Sequence, residues 1–353
     1  MNNSIYISVP SVEDTEIFHV AEQAFDEADN PDLIYMGICH SIPFKNKSKI
    51  DKINKKISGK NISQKFINAY RNVGVGYGRR GAMSMYSEQD YILQVDSHTN
   101  FSKSWDTILL DLYHSAPKKM TGNKHMLTAY LPSYQLLENN FRFSPDDNIP
   151  RYPCYASLRN RGKGQGLDDD LKLRDERYPN VPWWVTIRSV PGSFNPESDK
   201  LPELFPLNNA ENFLPEGYVY SRKINANFIF GDKRIAEDYN SIYKWDYLFF
   251  EEEFIGSIEA HSVGYNMIFP NFKLPLAHLY MDWYNEFYNE NNRSVPSPSH
   301  DRVKESQKET LDYLLDINNQ QKIKNYCEYA GLTTFPDFES IDTFYLPGDK
   351  NEN

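Results

Sequence analysis

The run Tyr91-Ile92-Leu93-Gln94-Val95 stops abruptly on Asp96-Ser97-His98, and Thr99-Asn100-Phe101 and then Trp105-Asp106 follow closely. An apolar run ending on an acid, a small residue and a histidine reads as a buried strand whose last residues emerge at the sheet edge. Alternation then sends Asp96 and His98 the same way. A carboxylate oxygen and an imidazole nitrogen together suit Mn²⁺ or a similar divalent cation, and a cation at the carboxyl end of a sheet can hold a diphosphate. The spacing alone has a plainer reading, because Asp-x-His also occurs by chance as a strand end with a hydrogen-bonded histidine.

The 353 residues, 40% hydrophobic and 14% aromatic, are enough to bury a large core as one big domain or as a domain with an elaborate second lobe. No window approaches the ~20 uninterrupted apolar residues of a membrane span. Met1-Asn2-Asn3-Ser4 leads into a strand without a basic and apolar leader, so a cytoplasmic location is expected, the host cytoplasm if the source is viral. Cys39, Cys154 and Cys327 are few and far apart, which supports neither a disulfide framework nor a zinc ribbon. Asn61-Ile62-Ser63 and Asn100-Phe101-Ser102 would accept glycans only in a secretory route. A net charge of -11 argues against general affinity for nucleic acid. The one basic concentration, from Lys45 through Lys47, Lys49, Lys52, Lys55 and Lys56 to Lys60, reads as a solvated loop, with contact to an anionic acceptor as the alternative.

Along the chain, Ile5 to Pro10 reads as an opening strand, Asp14 as the N-cap of a helix over Glu16 to Ala28, and Leu33 to Cys39 as a second strand. That order builds a parallel sheet. A short helix over Gly78 to Tyr86, a helix over Trp105 to Ser115 and a strand over His125 to Leu131 follow. From Asn139 to about Glu216 the chain is rich in Pro, Asp, Arg and Gly, with Arg159 to Gly164 and Asp168 to Asp170 in the middle. It reads as a lid or substrate-binding region, or as a surface excursion. Regular structure resumes with a strand over Ile224 to Phe230, a helix over Glu252 to Val263 stopped by Gly264, and strands over Tyr265 to Phe269 and Leu274 to Tyr280. A linker past Asn289 precedes an amphipathic helix over Arg302 to Ile317 with Leu311, Leu314 and Leu315. Four parts are expected: a nucleotide-sugar-binding half over 1–138, an irregular acceptor or lid insertion over 139–223, the acceptor and metal-site half of the same domain over 224–289, and a linker with a helical tail over 290–353.

These features, taken in order, resemble a family of glycosyltransferases that add N-acetylglucosamine to hydroxyproline on a cytoplasmic ubiquitin-ligase adaptor, with bacterial and viral relatives. The resemblance is carried by Ile7-Ser8-Val9-Pro10-Ser11, Gly37-Ile38-Cys39, Gly76-Tyr77-Gly78-Arg79 and above all Gln94-Val95-Asp96-Ser97-His98 with Phe101 and Trp105-Asp106. It resumes at Phe228 to Gly231, Leu248 to Glu253, Gly264-Tyr265, Pro270 and His278. It implies an α/β fold of the GT-A type, a Rossmann-like mixed sheet flanked by helices with an irregular acceptor region. It also implies a UDP-sugar donor, Mn²⁺ or Mg²⁺, and retention of anomeric configuration. Asp96, His98 and His278 would be the metal ligands. Donor contacts would come from Ser8, Pro10, Arg79, Gln94, Asp96, Trp105 and Asp106, with Arg79 on the diphosphate. Glu252 and Glu253 would be catalytic, one of them orienting the acceptor hydroxyl or stabilising positive charge at the anomeric carbon. Phe230, Gly231, His261 and Tyr265 would line the acceptor pocket. Gly74, Gly76 and Gly78 are not placed as a dinucleotide loop requires.

The chain departs from the family ahead of Gly264, where Glu259-Ala260-His261-Ser262-Val263 replaces an arginine and Trp-Thr-His. Sugar and acceptor therefore stay open. The expected activity is transfer of a sugar, most simply N-acetylglucosamine, from a UDP-sugar to a hydroxyl on a protein or glycan. One alternative is a phage-type DNA glycosyltransferase acting on a hydroxymethylated base, with the lysine segment and Arg159 to Lys163 on the phosphate backbone. A second is an inactive sugar-nucleotide-binding module. A metal-dependent hydrolase would call for more acidic ligands. Trp183-Trp184 could stack on a sugar or a base, although such pairs also serve in packing.

Overall fold

The computed structural model describes residues 3–14, 16–43, 47–59, 61–69, 74–129, 131, 135–137, 140–142, 156–157, 188–189, 217–221, 223–246, 252–272, 274–279, 308–310 and 312–330. Most of the segment expected to form the irregular insertion, including Arg159 to Lys163 and Trp183-Trp184, lies outside these residues. So does Leu311.

The strands are β1 Ile5–Val12, β2 Ile34–Ile42, β3 Ile62–Asn68, β4 Tyr91–Val95, β5 Thr99–Phe101 and β6 Lys124–Thr128. Two short pairs follow, β7 Gln135–Leu137 with β8 Asn140–Arg142, and β9 Ala156–Ser157 with β10 Arg188–Ser189. The last four are β11 Gly217–Tyr220, β12 Phe228–Asp232, β13 Tyr265–Asn271 and β14 Leu276–His278. Eight of them form one mixed sheet in the order β11-β13-β6-β12-β4-β1-β2-β3. The pairs β1/β2, β1/β4, β2/β3 and β6/β13 are parallel, while β12 is antiparallel to both of its neighbours. The mixed α/β sheet flanked by helices that the sequence predicts is therefore the observed architecture.

The helices are α1 Ile17–Asp26, α2 Lys47–Lys56, α3 Val75–Met83, α4 Trp105–His114, α5 Lys118–Thr121, α6 Arg234–Ile242, α7 Glu252–Ser262 and α8 Gln320–Ala330. Period-two alternation divides the side chains of β1 between two cores. Ile5, Ile7 and Val9 join the cluster under α1, α2 and α4, whereas Tyr6 joins the one under α6, α7 and α8. All five residues of β4 are buried, as expected of a central strand covered on both faces. Ile17, Val20, Ala21 and Ala24 supply the buried stripe of α1 at helical spacing. In α3, a Cβ at Gly81 would come within 2.5 Å of the Cys39 sulfur and one at Gly76 within 2.2 Å of the Trp245 carbonyl oxygen, so the glycines let this helix lie close on its neighbours. Gly264, at φ +93°, ends α7.

Two expectations are corrected. Over Lys47–Lys56 the lysine-rich segment is not a loop: it makes helix α2, which buries Ile53 and, just past its end, Ile57, while Lys45 and Lys60 lie outside the described residues. Three- and four-residue spacing of Ile50, Ile53 and Ile57 gives the segment an apolar face, and Lys52, Lys55 and Lys56 stay exposed. Asp14 is not the N-cap residue of α1, which is Glu16; one of its carboxylate oxygens accepts from Glu16 N and the other faces the turn after β4. Strand β3 and helices α6 and α8 were not foreseen. Among the described residues no helix is long and apolar enough to cross a membrane.

Candidate functional site

Strands β1, β2, β3 and β4 all run out at the same edge of the sheet, the usual place for a ligand site in an open α/β fold. Asp96 follows the last residue of β4 there, and its side chain is 23% exposed. His98 stands two residues on, just before β5. His278 arrives from far along the chain because β14 pairs antiparallel with β5, with His278 opposite Thr99. Leu279 N donates to the His98 carbonyl at 3.1 Å and fastens the ribbon. One candidate ligand atom from each of Asp96, His98 and His278 therefore falls within 4.8 Å of the others. The two imidazole rings meet edge to face, their centroids 4.7 Å apart, and His278 Nε2 lies 3.1 Å from Asp96 Oδ2.

A buried cation backs this cluster. Arg79, 2% exposed in α3, donates through Nε and Nη2 to the two carboxylate oxygens of Glu252 at 2.9 and 3.0 Å, and through Nη2 to Asp96 Oδ1 at 3.3 Å. Its neighbour Gly78 seats the helix against Pro10, to which an added Cβ would come within 3.3 Å. Burial pushes the Asp96 carboxyl up, but Arg79, and after it His278 and His98, more than offset this and hold it well below the usual carboxylate range. Burial pushes the Glu252 carboxyl up to about 7, and the Arg79 charge only partly restrains it. Burial lowers the His278 imidazole against the pull of Asp96, which favours the neutral ring a metal ligand needs.

The two glutamates that open α7 do different things. Glu252 belongs to the Arg79 cluster. Glu253 accepts from Lys223 Nζ at 2.7 Å and from Ala226 N at 3.1 Å, which ties α7 to the segment leading into β12.

Other expected site residues are placed elsewhere. The side chain of Gln94 is 1% exposed and occupied by the protein: Nε2 donates to the Ala226 carbonyl and the Tyr243 hydroxyl at 2.7 and 2.9 Å, and Oε1 accepts from the Tyr239 hydroxyl. Trp105 is fully buried and donates to the Ala24 carbonyl at 3.0 Å. Asp106 accepts from Asp29 N, Asn30 N and Asn30 Nδ2, holding the turn after α1. Ser8 is buried opposite Gln94 and Gly37, and Pro10 sits at the sheet edge opposite Cys39.

The residues expected to line an acceptor pocket do not gather at the cluster. Because β12 runs antiparallel to β4, Phe230 and Gly231 lie opposite Leu93 and Ile92, so Gly231 is about 13 Å back along the sheet from Asp96. Tyr265 starts β13 at that same far end and donates to Asp238 Oδ2 at 3.0 Å. His261 is near the C-terminus of α7, about 13 Å along the helix from Glu252, with its ring 4.5 Å from that of Tyr329 in α8.

Asp14, absent from the expected site, is in it. Its carboxylate accepts from His98 Nδ1 and Ser97 Oγ, both at 2.8 Å. The only sequence signal was an acid just past the first strand, which a helix N-cap explains equally well.

Residues 41–337 match the family model described as Glycosyltransferase (GlcNAc), well over half of the chain. The chain belongs to this family. It is a glycosyltransferase, and the resemblance drawn from the sequence holds at that level. No curated protein matches the sequence. Among solved structures, the chain is similar to S. aureus TarS 1-349, with 10% identity over 93% of this chain and 80% of that one and a TM-score of 0.39. It is also similar to GalNAc-T7 with UDP, GalNAc and Mn²⁺, with 11% identity over 97% of this chain and a TM-score of 0.49. This chain spans 57% of the GalNAc-T7 chain.

Proposed function

We propose that this glycosyltransferase is metal-dependent and moves a sugar, most simply N-acetylglucosamine, from a UDP-sugar to a hydroxyl on a protein or glycan with retention of configuration. The observation that carries the proposal is the convergence of Asp96, His98 and His278 at the carboxyl edge of the sheet. One carboxylate and two imidazoles are a donor set suited to Mn²⁺, and the separation of their ligand atoms fits a single ion. A cation held by these three residues would neutralise the donor's diphosphate and ease departure of UDP.

The remaining roles fall to the chain itself. Arg79 keeps Asp96 ionised and so ready to ligate, and its fork fixes the Glu252 carboxylate beside the cluster. Of the two α7 glutamates, Glu252 is the one given the role of orienting the acceptor hydroxyl or facing charge at the anomeric carbon, because it shares Arg79 with Asp96 whereas Glu253 is turned to Lys223 and Ala226. Retention of configuration and the choice of N-acetylglucosamine are supported by the family resemblance.

The test is release of UDP from a panel of UDP-sugars in Mn²⁺, Mg²⁺ or EDTA, for the parent and Asp96→Ala proteins. Metal-dependent turnover of one donor, lost in the variant, is the expected result. Turnover that survives both EDTA and the substitution would remove the metal from the proposal.

A further inference from the structure

We infer that Asp14 is the positioning residue of the metal centre, fixing both the tautomer of His98 and the Asp96-Ser97-His98 turn. The inference rests on the metal-dependent reading above. Asp14 lies two residues beyond β1, is 7% exposed, and does not itself join the candidate ligand set. Both of its oxygens are engaged. Oδ2 accepts from Ser97 Oγ and from His98 Nδ1, each at 2.8 Å, and Oδ1 accepts from Glu16 N at 2.9 Å. Strands β1 and β4 run parallel with Ser8 opposite Gln94, so they leave the sheet side by side and the acid reaches across to the neighbouring turn.

A neutral imidazole has one N–H and one lone pair, and the partner of one nitrogen decides the state of the other. A carboxylate accepting from Nδ1 keeps the proton there, presents the Nε2 lone pair to a cation, stops the ring from turning and raises its basicity. The bond to Ser97 acts in the same sense, because it pins the residue between two candidate ligands. Asp14 thus holds in place, from the segment after β1, the part of the site that a short loop would otherwise leave to turn.

The experiment is titration of the full chain with Mn²⁺, followed by electron paramagnetic resonance of the free ion, on the parent, Asp96→Ala and Asp14→Asn proteins, without donor. The parent is expected to bind Mn²⁺ and Asp96→Ala to lose it. Asp14→Asn should bind about 10- to 100-fold more weakly, the usual effect of losing such a partner. UDP release by Asp14→Asn should return at saturating Mn²⁺, which a general folding defect would not allow. Parent-like affinity in Asp14→Asn would overturn the role of Asp14 and leave the metal reading standing. A parent that binds no Mn²⁺ would sink both. Should Asp14→Asn fail to fold, nitrogen-15 spectra of the histidines in the parent still decide: the Nδ1–H tautomer at His98 is expected, and the Nε2–H tautomer would refute the assignment.

Discussion

Asp106 accepts three hydrogen bonds from Asp29 and Asn30 and is almost wholly buried, which makes its contribution one of stability. Asp106→Ala should lower the unfolding free energy by about 2 kcal/mol, the scale for stranding such donors, and leave affinity for a UDP-sugar at the parent value. Urea denaturation and calorimetry separate the two effects, and a folded variant with weakened donor binding would return Asp106 to the site. Glu252→Gln should slow turnover about 100-fold at saturating donor and metal, and Glu253→Gln should act chiefly on stability through Lys223. Equal kinetic losses in the two variants would undo the division between them. Asp96 and His98 were legible as a pair leaving a buried strand on one side, but the spacing alone fits a hydrogen-bonded histidine as well, and it was Phe101 and Trp105-Asp106 beyond them that marked the pair as a candidate site. Trp105 and Asp106 stand just beyond, and a residue that props a site looks the same in sequence as one that touches a ligand. The role of Asp14 depends on which strand lies beside β4, which no local pattern records.

Helix α2 shows the same limit for an element. A lysine run is usually solvated, and seven lysines obscured the apolar spacing of Ile50, Ile53 and Ile57. Because Ile53 is 5% exposed, Ile53→Ala should cost about 2–3 kcal/mol, whereas in a loop the change would be close to neutral. A shift in the denaturation midpoint reads the difference directly. The strand expected over Ile224 to Phe230 was legible as an element, although it runs over Phe228–Asp232, and its direction was not legible. Only its antiparallel register against β4 carries Phe230 and Gly231 away from Asp96, and register belongs to the assembled sheet.

Two behaviours belong to the molecule as a whole. His40 is 1% exposed and stacked on Phe66, and burial pushes its imidazole down to about 4. Its folded value lies below the unfolded one, so its contribution to stability is complete above pH 6.5 and is lost as the pH falls through about 4, because the unfolded chain takes up the proton first. Between pH 7.5 and 5 this amounts to about 2 kcal/mol, and His40→Gln should lose correspondingly less in denaturant titrations at the two pH values. Equal losses in parent and variant would discount His40. Mn²⁺ at 100 times its dissociation constant should add about 2.7 kcal/mol to the parent, since Asp96, His98 and His278 come together only in the folded chain. His278→Ala should show no such gain in a thermal melt.

His278 and Asp96 stand 182 residues apart, and a ribbon of three residues on each side joins them. Contacts across so long a stretch of chain form slowly, because the intervening loop must close before any pairing repays it. The main sheet closes loops nearly as long, since Phe228 of β12 lies opposite Val95 of β4, and β13 ends at Asn271, just before the ribbon strand that carries His278. Newly made protein should therefore lack the cluster of Asp96, His98 and His278 until synthesis has passed residue 278, however early the first four parallel strands come together.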